Sequence, residues 1–289
     1  MINNNGNKYE FSLEEISEND ARAIASRFIK PNSKILDIGC ACGDFGSYIK
    51  SKDNFDVYGL EYDHVSIEIA RNKHVYEKIE QCDLNFFDDR IFSEHLNSFD
   101  YVCLLDVIEH TWDPEKTINY ALSFIKPGGH LIISLPNIGH SSIKSKLLNN
   151  DFSYTATGIL DETHIRFFTY KTIASLMSKI NLSIEAMKPK IKVDTLDSLS
   201  LPRKISNFIL RDKHSYVYQY VILLKVSDIN DDVLINNNLK MMNPSVIISK
   251  QEVFNYRIHH LINKFFPENS KRKKISKKIY YYLKKIYRL

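Results

Sequence analysis

The sequence predicts an α/β protein whose sheet is mostly parallel. Predicted strands and helices alternate over the first 226 residues, which is the pattern of a sheet covered by helices on both faces. A glycine-rich turn follows the first strand, and acidic residues follow several later strands. Because ligands bind at the carboxyl ends of the strands in open sheets of this kind, we expect the functional residues directly after the strands.

Seven apolar runs, each bounded by polar or glycine-containing segments, are predicted as strands. They cover residues 34–38, 56–60, 78–82, 101–105, 130–135, 182–187 and 216–226. The tripeptide at 127–129, Pro-Gly-Gly, is predicted as a turn that feeds the fifth strand.

Helices are predicted between these strands, at 13–29, 44–51, 65–73, 114–125 and 171–180. The first of them carries Ile16, Ala23, Ile24 and Phe28 in an amphipathic run and ends before Pro31. We expect this helix to cover the sheet as an N-terminal lid.

The composition changes beyond about Ser227. Residues 228–232 and 236–238 are predicted as linker, and 251–266 and 271–289 as helices. The last of these is basic, and its apolar residues recur at helical spacing: Ile275, Ile279, Tyr282, Ile286 and Leu289. Such a helix fits an anionic membrane surface. A solvated helix that caps the domain is an equal alternative, and a nucleic-acid-binding tail is a weaker one. We therefore divide the chain into a domain over 1–228 and a linker and tail over 229–289.

Charge and cysteine content narrow the class of protein. Residues 271–289 contain nine Lys or Arg and no acid, and the whole chain carries +4, so residues 1–270 carry −5. A mildly acidic body argues against a nucleic-acid partner.

The sequence predicts a cytoplasmic location. The polar residues 1–8 lack the apolar core of a secretory signal, and no apolar run is long enough to span a membrane. The tail is a candidate contact to the inner face of the membrane. The four cysteines lack the paired C-x-x-C spacing of zinc sites and are expected to be reduced and mostly buried.

The turn after the first strand predicts a nucleotide-type cofactor. At Gly39 and Gly43 the missing Cβ lets the backbone approach a ligand closely, and the first amides of the following helix point outward as donors. Glu61 follows the next strand and fits the acid that accepts ribose hydroxyls in dinucleotide folds. The spacing, Asp37-x-Gly39-x-Ala41-x-Gly43, differs from the dinucleotide fingerprint G-x-G-x-x-G.

This spacing resembles motif I of the class I S-adenosylmethionine-dependent methyltransferases, D-x-G-x-G-x-G, with Ala41 at the middle glycine. Residues 81–84 resemble the segment whose acid accepts from the adenine amino group, 99–106 resemble motif IV, and 125–134 are similar to the family's turn and fifth strand. The resemblance covers roughly residues 10–226 and implies a Rossmann-like, seven-stranded sheet with an antiparallel last strand. It also implies that S-adenosyl-L-methionine is bound by Asp37, Gly39, Cys40, Gly43, Glu61, Tyr62, Asp83, Leu84 and Asp106.

The run from Asp106 to His110 resembles the E-x-x-E-H run of quinone-biosynthesis O-methyltransferases, in which such side chains can hold a divalent cation. Here the shorter Asp106 replaces the first Glu. We expect Glu109 and His110 to shape the turn before the helix at Pro114, and we predict no metal site.

Residues 135–169 resemble, in their P-N…G-I-L-D-x-T-H-x-R-F-F-T pattern, a methyltransferase branch often found among genes for bacterial surface polysaccharides. The fold usually inserts its substrate lid at this point. The expected substrate-binding residues are Asn137, Tyr154, Asp161 and Arg166. His164 and His140 are the candidate general bases, because imidazole titrates near neutrality. His164 is preferred because ionisable residues flank it, although the same residues could form an ion-pair network that holds the lid shut.

The resemblance predicts methyl transfer to a hydroxyl group of a small or glycan-linked acceptor in surface-polysaccharide biosynthesis. One alternative is O-methylation of a phenol or quinone precursor, which a membrane-associating tail would suit. Another is a non-catalytic module that binds the cofactor without turnover. The sequence carries no prediction of the oligomeric state.

Overall fold

A computed structural model of the chain describes residues 16–88, 90–192, 194, 199–226 and 231–242. The predicted helices at 251–266 and 271–289 lie outside the described residues. Seven strands occur in the described part of the chain: β1 Lys34–Ile38, β2 Asp56–Glu61, β3 Lys78–Gln81, β4 Phe99–Leu105, β5 Ile125–Pro136, β6 Leu182–Ile191 and β7 Val217–Val226.

The strands form one sheet in the order β3-β2-β1-β4-β5-β7-β6. Strands β1 to β5 pair in parallel, whereas β7 pairs antiparallel with both β5 and β6. The predicted seven-stranded, mostly parallel sheet with an antiparallel last strand is therefore confirmed. Its parallel half brings the carboxyl ends of β1 to β5 to one edge.

Eight α-helices are described: α1 Ala21–Ser26, α2 Asp44–Lys50, α3 His64–Asn72, α4 Pro114–Leu122, α5 Ser141–Leu148, α6 Tyr170–Lys179, α7 Arg203–Ile209 and α8 Asp231–Met241. Helices α2, α3, α4 and α6 lie where the sequence predicts helices, within a few residues at each end. Helices α5, α7 and α8 were not predicted.

Alternating residues of the central strands bury opposite faces of the sheet. Leu36 of β1 joins a large cluster with residues of α4 and α6, whereas its neighbour Ile35 joins a second cluster with residues of α1 and α2. Since side chains alternate along a strand, this arrangement covers both faces with helices.

The N-terminal helix is shorter than predicted. Asp20 is extended and its side chain accepts a hydrogen bond from the N–H of Arg22, which starts α1 at Ala21. Ala21, Ile24 and Ala25 are buried against the sheet, so the expected covering role is confirmed for this part of the segment.

The predicted Pro-Gly-Gly turn lies inside the bounds of β5. Phe99 pairs with Ile125 and Tyr101 pairs with His130, so the residues between Ile125 and His130 bulge out of the ladder. Gly128 supports the bulge with a φ of +81°.

The predicted linker at 228–232 and 236–238 is wrong over the part that is described, because α8 is a helix that packs on α6 and β6. Asn238 explains the packing: it is fully buried, its Oδ1 accepts a hydrogen bond from the N–H of Ile184 at 2.9 Å, and its Nδ2 donates to the carbonyl of Leu182 at 2.9 Å. A polar run of residues here forms a packed helix and not a linker.

Two expectations from composition can be compared with the structure. All four cysteines are buried and none of them forms a disulfide bond, as expected. Among the described helices, none combines the length and the apolar character needed to cross a bilayer.

Replacing Asn238 with Ala should lower the free energy of unfolding by about 2–4 kcal/mol, because the buried N–H of Ile184 and carbonyl of Leu182 would lose their partner. Asn237→Ala makes the same change in helix propensity at a partly exposed position of α8 and is the matched control. Urea unfolding of the two variants measures the difference. Equal stabilities would contradict the assigned role of Asn238.

Candidate active site

A cleft of about 1310 Å³ opens along the carboxyl ends of the parallel strands. Asp37 of β1, Glu61 of β2, Asp83 after β3 and Asp106 after β4 line it in succession. Cys40, Tyr62 and Leu84 also line it. The structure therefore brings together all the predicted cofactor residues except Gly43.

The two glycines of the turn after β1 have different tasks. Gly39 lines the cleft at a φ of +75°, and a Cβ there would lie 2.5 Å from Cγ2 of Val107. Gly43 is the N-cap of α2 at a φ of +79°, and a Cβ there would lie 3.0 Å from the side chain of Ala70. Gly43 therefore shapes the turn from outside the cleft. Ala41, at the middle position, takes a φ of +45°.

Glu61 holds the turn against the end of β2. Its Oε2 accepts a hydrogen bond from the N–H of Ala41 at 2.7 Å, and its Oε1 accepts from the N–H groups of Tyr62 and Asp63 at 2.8 and 2.9 Å. The carboxylate is thus fixed at the cleft wall by three backbone donors.

Asp37 is a buried carboxyl at the cleft. Only 2% of it is exposed, and its Oδ2 accepts a hydrogen bond from the hydroxyl of Tyr76 at 2.7 Å. Burial raises the pKa of Asp37 to about 7, and the nearby carboxylates of Glu61 and Asp44 add to the shift, while the Tyr76 hydrogen bond opposes it. Asp37 therefore titrates near neutrality.

Asp83 follows the edge strand β3, and Asp106 follows β4, which lies on the other side of β1 and β2 in the sheet. Asp83 lines the cleft, and its Oδ1 also accepts from the N–H of Asn85 at 2.8 Å, so it caps the next turn as well. Asp106 takes a φ of +59°. Its Oδ1 accepts hydrogen bonds from Oγ of Ser134, at 2.7 Å, and from Nε2 of Gln219. Side chains of β5 and β7 thus orient Asp106.

A buried carboxyl and two imidazoles meet on the lid side of the cleft. Glu109 is 1% exposed, and neither carboxyl oxygen has a hydrogen-bond partner among the described residues. Nδ1 of His110 donates to the carbonyl of Thr163 at 3.1 Å, and Nδ1 of His164 donates to the carbonyl of Ile159 at 3.0 Å. In the neutral rings, both Nε2 atoms are therefore left as acceptors.

The surroundings of Glu109 and His110 favour the uncharged form of both side chains. Burial, reinforced by the Asp106 carboxylate, holds the pKa of Glu109 well above its usual range. Burial and the neighbouring His164 lower the pKa of His110. The two rings lie 4.7 Å apart in an edge-to-face arrangement.

Glu109, His110 and His164 each offer a ligand atom, and these atoms lie within 4.8 Å of one another. The unpartnered carboxyl oxygens and the free Nε2 atoms fit a divalent cation, which would lower the pKa of a bound hydroxyl group. From the sequence, only Asp106, Glu109 and His110 are considered for a metal and no site is predicted, and no signal in the sequence joins His164 to them. Backbone hydrogen bonds place His164 beside Glu109, because the N–H groups of Ile165 and Arg166 donate to the carbonyl of Glu109 at 2.9 and 3.0 Å.

The prediction of His140 as a base is wrong. Its ring is fully buried and does not line the cleft. Nε2 donates to the carbonyl of Lys192 at 2.9 Å, and Nδ1 accepts from the N–H of Ser142 at 3.2 Å as the N-cap of α5. Both ring nitrogens are thus occupied by the protein.

Three of the four predicted substrate residues lie outside the cleft. Asn137 is buried, and its Nδ2 donates hydrogen bonds to the carbonyls of His214 and Val217. Tyr154 is half-exposed on the lid surface, and Arg166 donates to the carbonyl of Trp112. Asp161 alone lines the cleft, where its Oδ1 accepts from the N–H and hydroxyl of Thr163.

Two features of the cleft were missed from the sequence. Arg22 and Lys190 line one end, where both contact Asp20, at 2.8 and 3.4 Å. No sequence signal links α1 to β6. Phe86 and Trp112 line the mouth with their rings 5.1 Å apart, and they are 67% and 56% exposed. For Trp112, its closeness in sequence to the run from Asp106 to His110 could have indicated a place at the cleft.

Comparison with known proteins places this geometry in a family. The sequence profile of the family described as "Methyltransferase domain" matches residues 12–186, which is more than half of the chain. The chain belongs to this methyltransferase family. Its cofactor is S-adenosyl-L-methionine, as the four acids and the glycine-rich turn of the cleft predicted.

Several relatives of this methyltransferase are known by name. The chain is 27% identical over 174 residues to phosphoethanolamine N-methyltransferase 2 of Caenorhabditis elegans, covering 58% of this chain and 38% of that protein. It is 26% identical over 163 residues to the mitochondrial ubiquinone biosynthesis O-methyltransferase of Dictyostelium discoideum, covering 53% of this chain and 51% of that protein. The methyltransferase thus spans about half or less of these relatives' lengths.

Solved structures share the fold of this methyltransferase. A structure of StiE O-MT residues 961–1257 superposes with a TM-score of 0.52 at 14% identity, covering 80% of this chain and 81% of that chain. The YcgJ protein of Bacillus subtilis superposes with a TM-score of 0.50 at 11% identity, covering 73% of this chain and 99% of that chain.

Without cofactor, the stability that neutral Asp37 contributes should be fully present below pH 3.8 and lost as the pH rises to about 7, because the folded state binds this proton more tightly than the unfolded state. The full shift corresponds to about 4 kcal/mol. Asp37→Asn, which cannot ionise, should therefore gain stability relative to the natural chain over this range. Chemical unfolding at a series of pH values measures it; parallel curves would contradict the shifted pKa.

Proposed function

We propose that the chain transfers the methyl group of S-adenosyl-L-methionine to a hydroxyl group of a small acceptor, such as a sugar or a glycan-linked unit. The position and hydrogen bonding of His164 support this proposal most strongly. Its Nδ1 is hydrogen-bonded to the carbonyl of Ile159, which leaves Nε2 as an acceptor at the cleft. A neutral imidazole oriented by its second nitrogen is a suitable general base.

The reaction is an in-line displacement at the methyl carbon. The hydroxyl oxygen forms the new C–O bond while the C–S bond breaks, and the sulfonium becomes a neutral thioether. The acceptor's proton passes to Nε2 of His164. The protein mainly positions the two reactants and excludes water, and the lid residues Asp161, Thr163 and His164 suit that task because they close one side of the cleft.

The aromatic rings at the cleft mouth suit an acceptor with a flat face. Phe86 and Trp112 expose their rings there, and such rings can stack on the C–H face of a sugar or on a phenol. The second candidate, O-methylation of a phenol or quinone precursor, draws on the same rings and on the similarity to ubiquinone biosynthesis O-methyltransferases.

The test is a methyl-transfer assay with sugar, sugar-nucleotide and phenol acceptors, in which S-adenosylhomocysteine is measured. His164→Gln should lower turnover by roughly 10²–10⁴-fold while leaving cofactor affinity unchanged, because the ring acts on the acceptor's proton. His130→Gln, which replaces a partly buried histidine paired with Glu185 away from the cleft, is the control.

The outcomes of this assay distinguish a general base from a cation site and from a non-catalytic module. Unchanged turnover in His164→Gln would remove the base role. Loss of turnover on chelation, restored by added Mg²⁺ or Mn²⁺, would assign Glu109, His110 and His164 to a cation instead. Cofactor binding without transfer to any hydroxyl acceptor would favour the non-catalytic module.

A further inference from the structure

Large apolar side chains are exposed along α5, the segment that follows it, and α7. Phe208 is 74% exposed and Leu148 is 56% exposed. The set, which we call the α5–α7 surface, comprises Leu147, Leu148, Phe152, Tyr154, Ile205 and Phe208. Such a concentration of exposed apolar residues marks an interaction surface more often than a chance arrangement.

Hydrogen bonds and an ion pair hold these elements side by side. Oγ of Ser145 on α5 donates to the carbonyl of Leu199, just before α7. Nζ of Lys144 donates to Oδ2 of Asp212, just after α7, at 2.7 Å. Helix α7 buries Ser206 and Ile209, whereas Ile205 and Phe208, on the adjacent face of the helix, are exposed.

The α5–α7 surface is also basic. Among the described residues on or in contact with these elements, the cations are Lys144, Lys146, Arg203, Lys204, Arg211 and Lys213, and the acids are Asp151, Asp194 and Asp212. Asp151 and Asp212 pair with lysines of α5, and Asp194 accepts a hydrogen bond from Ser141 of α5. This local excess of positive charge contrasts with the net negative charge of residues 1–270. Exposed leucine and aromatic side chains flanked by Lys and Arg are the pattern of an interfacial membrane contact.

We propose that the α5–α7 surface binds an anionic phospholipid bilayer. Charge complementarity favours this occupant over two others. The chain's own residues 271–289 carry nine cations and no acid, so they are repelled by a basic surface. A second copy of the chain, docking with the same surface, would place like charges against each other.

Docking would bring the cleft close to the bilayer. The segment that carries Phe152 and Tyr154 continues directly into Thr157 and Gly158, which line the cleft. The proposal does not depend on which acceptor the cleft takes.

The test is co-sedimentation of the full-length chain with phosphatidylcholine vesicles that contain or lack phosphatidylglycerol. The natural chain should bind the anionic vesicles, and high salt should weaken this binding. Two paired variants, Leu148→Ser with Phe208→Ser and Arg203→Gln with Lys204→Gln, should each reduce the vesicle partition coefficient by roughly tenfold or more. All four side chains are exposed, so folding should be retained.

The matched control is Leu96→Ser with Val226→Ser, which removes exposed apolar side chains elsewhere (47% and 58% exposed) and should not change binding. Binding equal to the natural chain in both test variants, with loss only on deletion of 271–289, would overturn the proposal in favour of the tail. A natural chain that does not bind anionic vesicles, or a test variant that changes only the oligomeric state in sedimentation velocity, would overturn it as well.

Discussion

The cleft depends on how the turn after β1 is fastened to the end of β2. The carbonyl of Leu60 accepts from the N–H groups of Gly39 and Cys40 at 2.7 and 3.1 Å, and the Glu61 carboxylate accepts from Ala41 at 2.7 Å. These bonds set the path of the turn that carries the glycines, and they hold Ala41 in its positive-φ conformation. A cofactor therefore meets a wall that is already formed, which reduces the entropy lost on binding.

The same edge of the sheet collects carboxyl groups at an electrostatic cost. Asp37 and Glu109 are almost completely buried, and both have raised pKa values because burial and neighbouring acids disfavour their charged forms. A ligand that carries positive charge offsets this cost by favouring ionised carboxylates. S-adenosyl-L-methionine carries a sulfonium and an ammonium, so the acidic cleft is complementary to these two groups in charge.

The sequence predicted what is local and periodic. The alternation of strands and helices and the position of the acids at successive strand ends agree with the structure, because a parallel sheet gathers those ends whatever the details of packing. It failed where tertiary contacts decide. His140 and Asn137 looked like site residues, but their polar atoms satisfy the backbone of α5 and of the region around β7. The meeting of Glu109 with His164 depends on backbone pairing across the lid and leaves no periodic trace in the sequence.

The carboxylate-lined cleft should bind a cationic cofactor, and calorimetry at pH 7 tests this most directly. Titration with S-adenosyl-L-methionine in buffers of different ionisation enthalpy should give one site per chain and a release of protons, because the cofactor's positive charge would lower the pKa of Asp37 from about 7. S-adenosylhomocysteine, which lacks the sulfonium, should bind with a smaller release. Absence of binding heat with both compounds in every buffer would contradict the account.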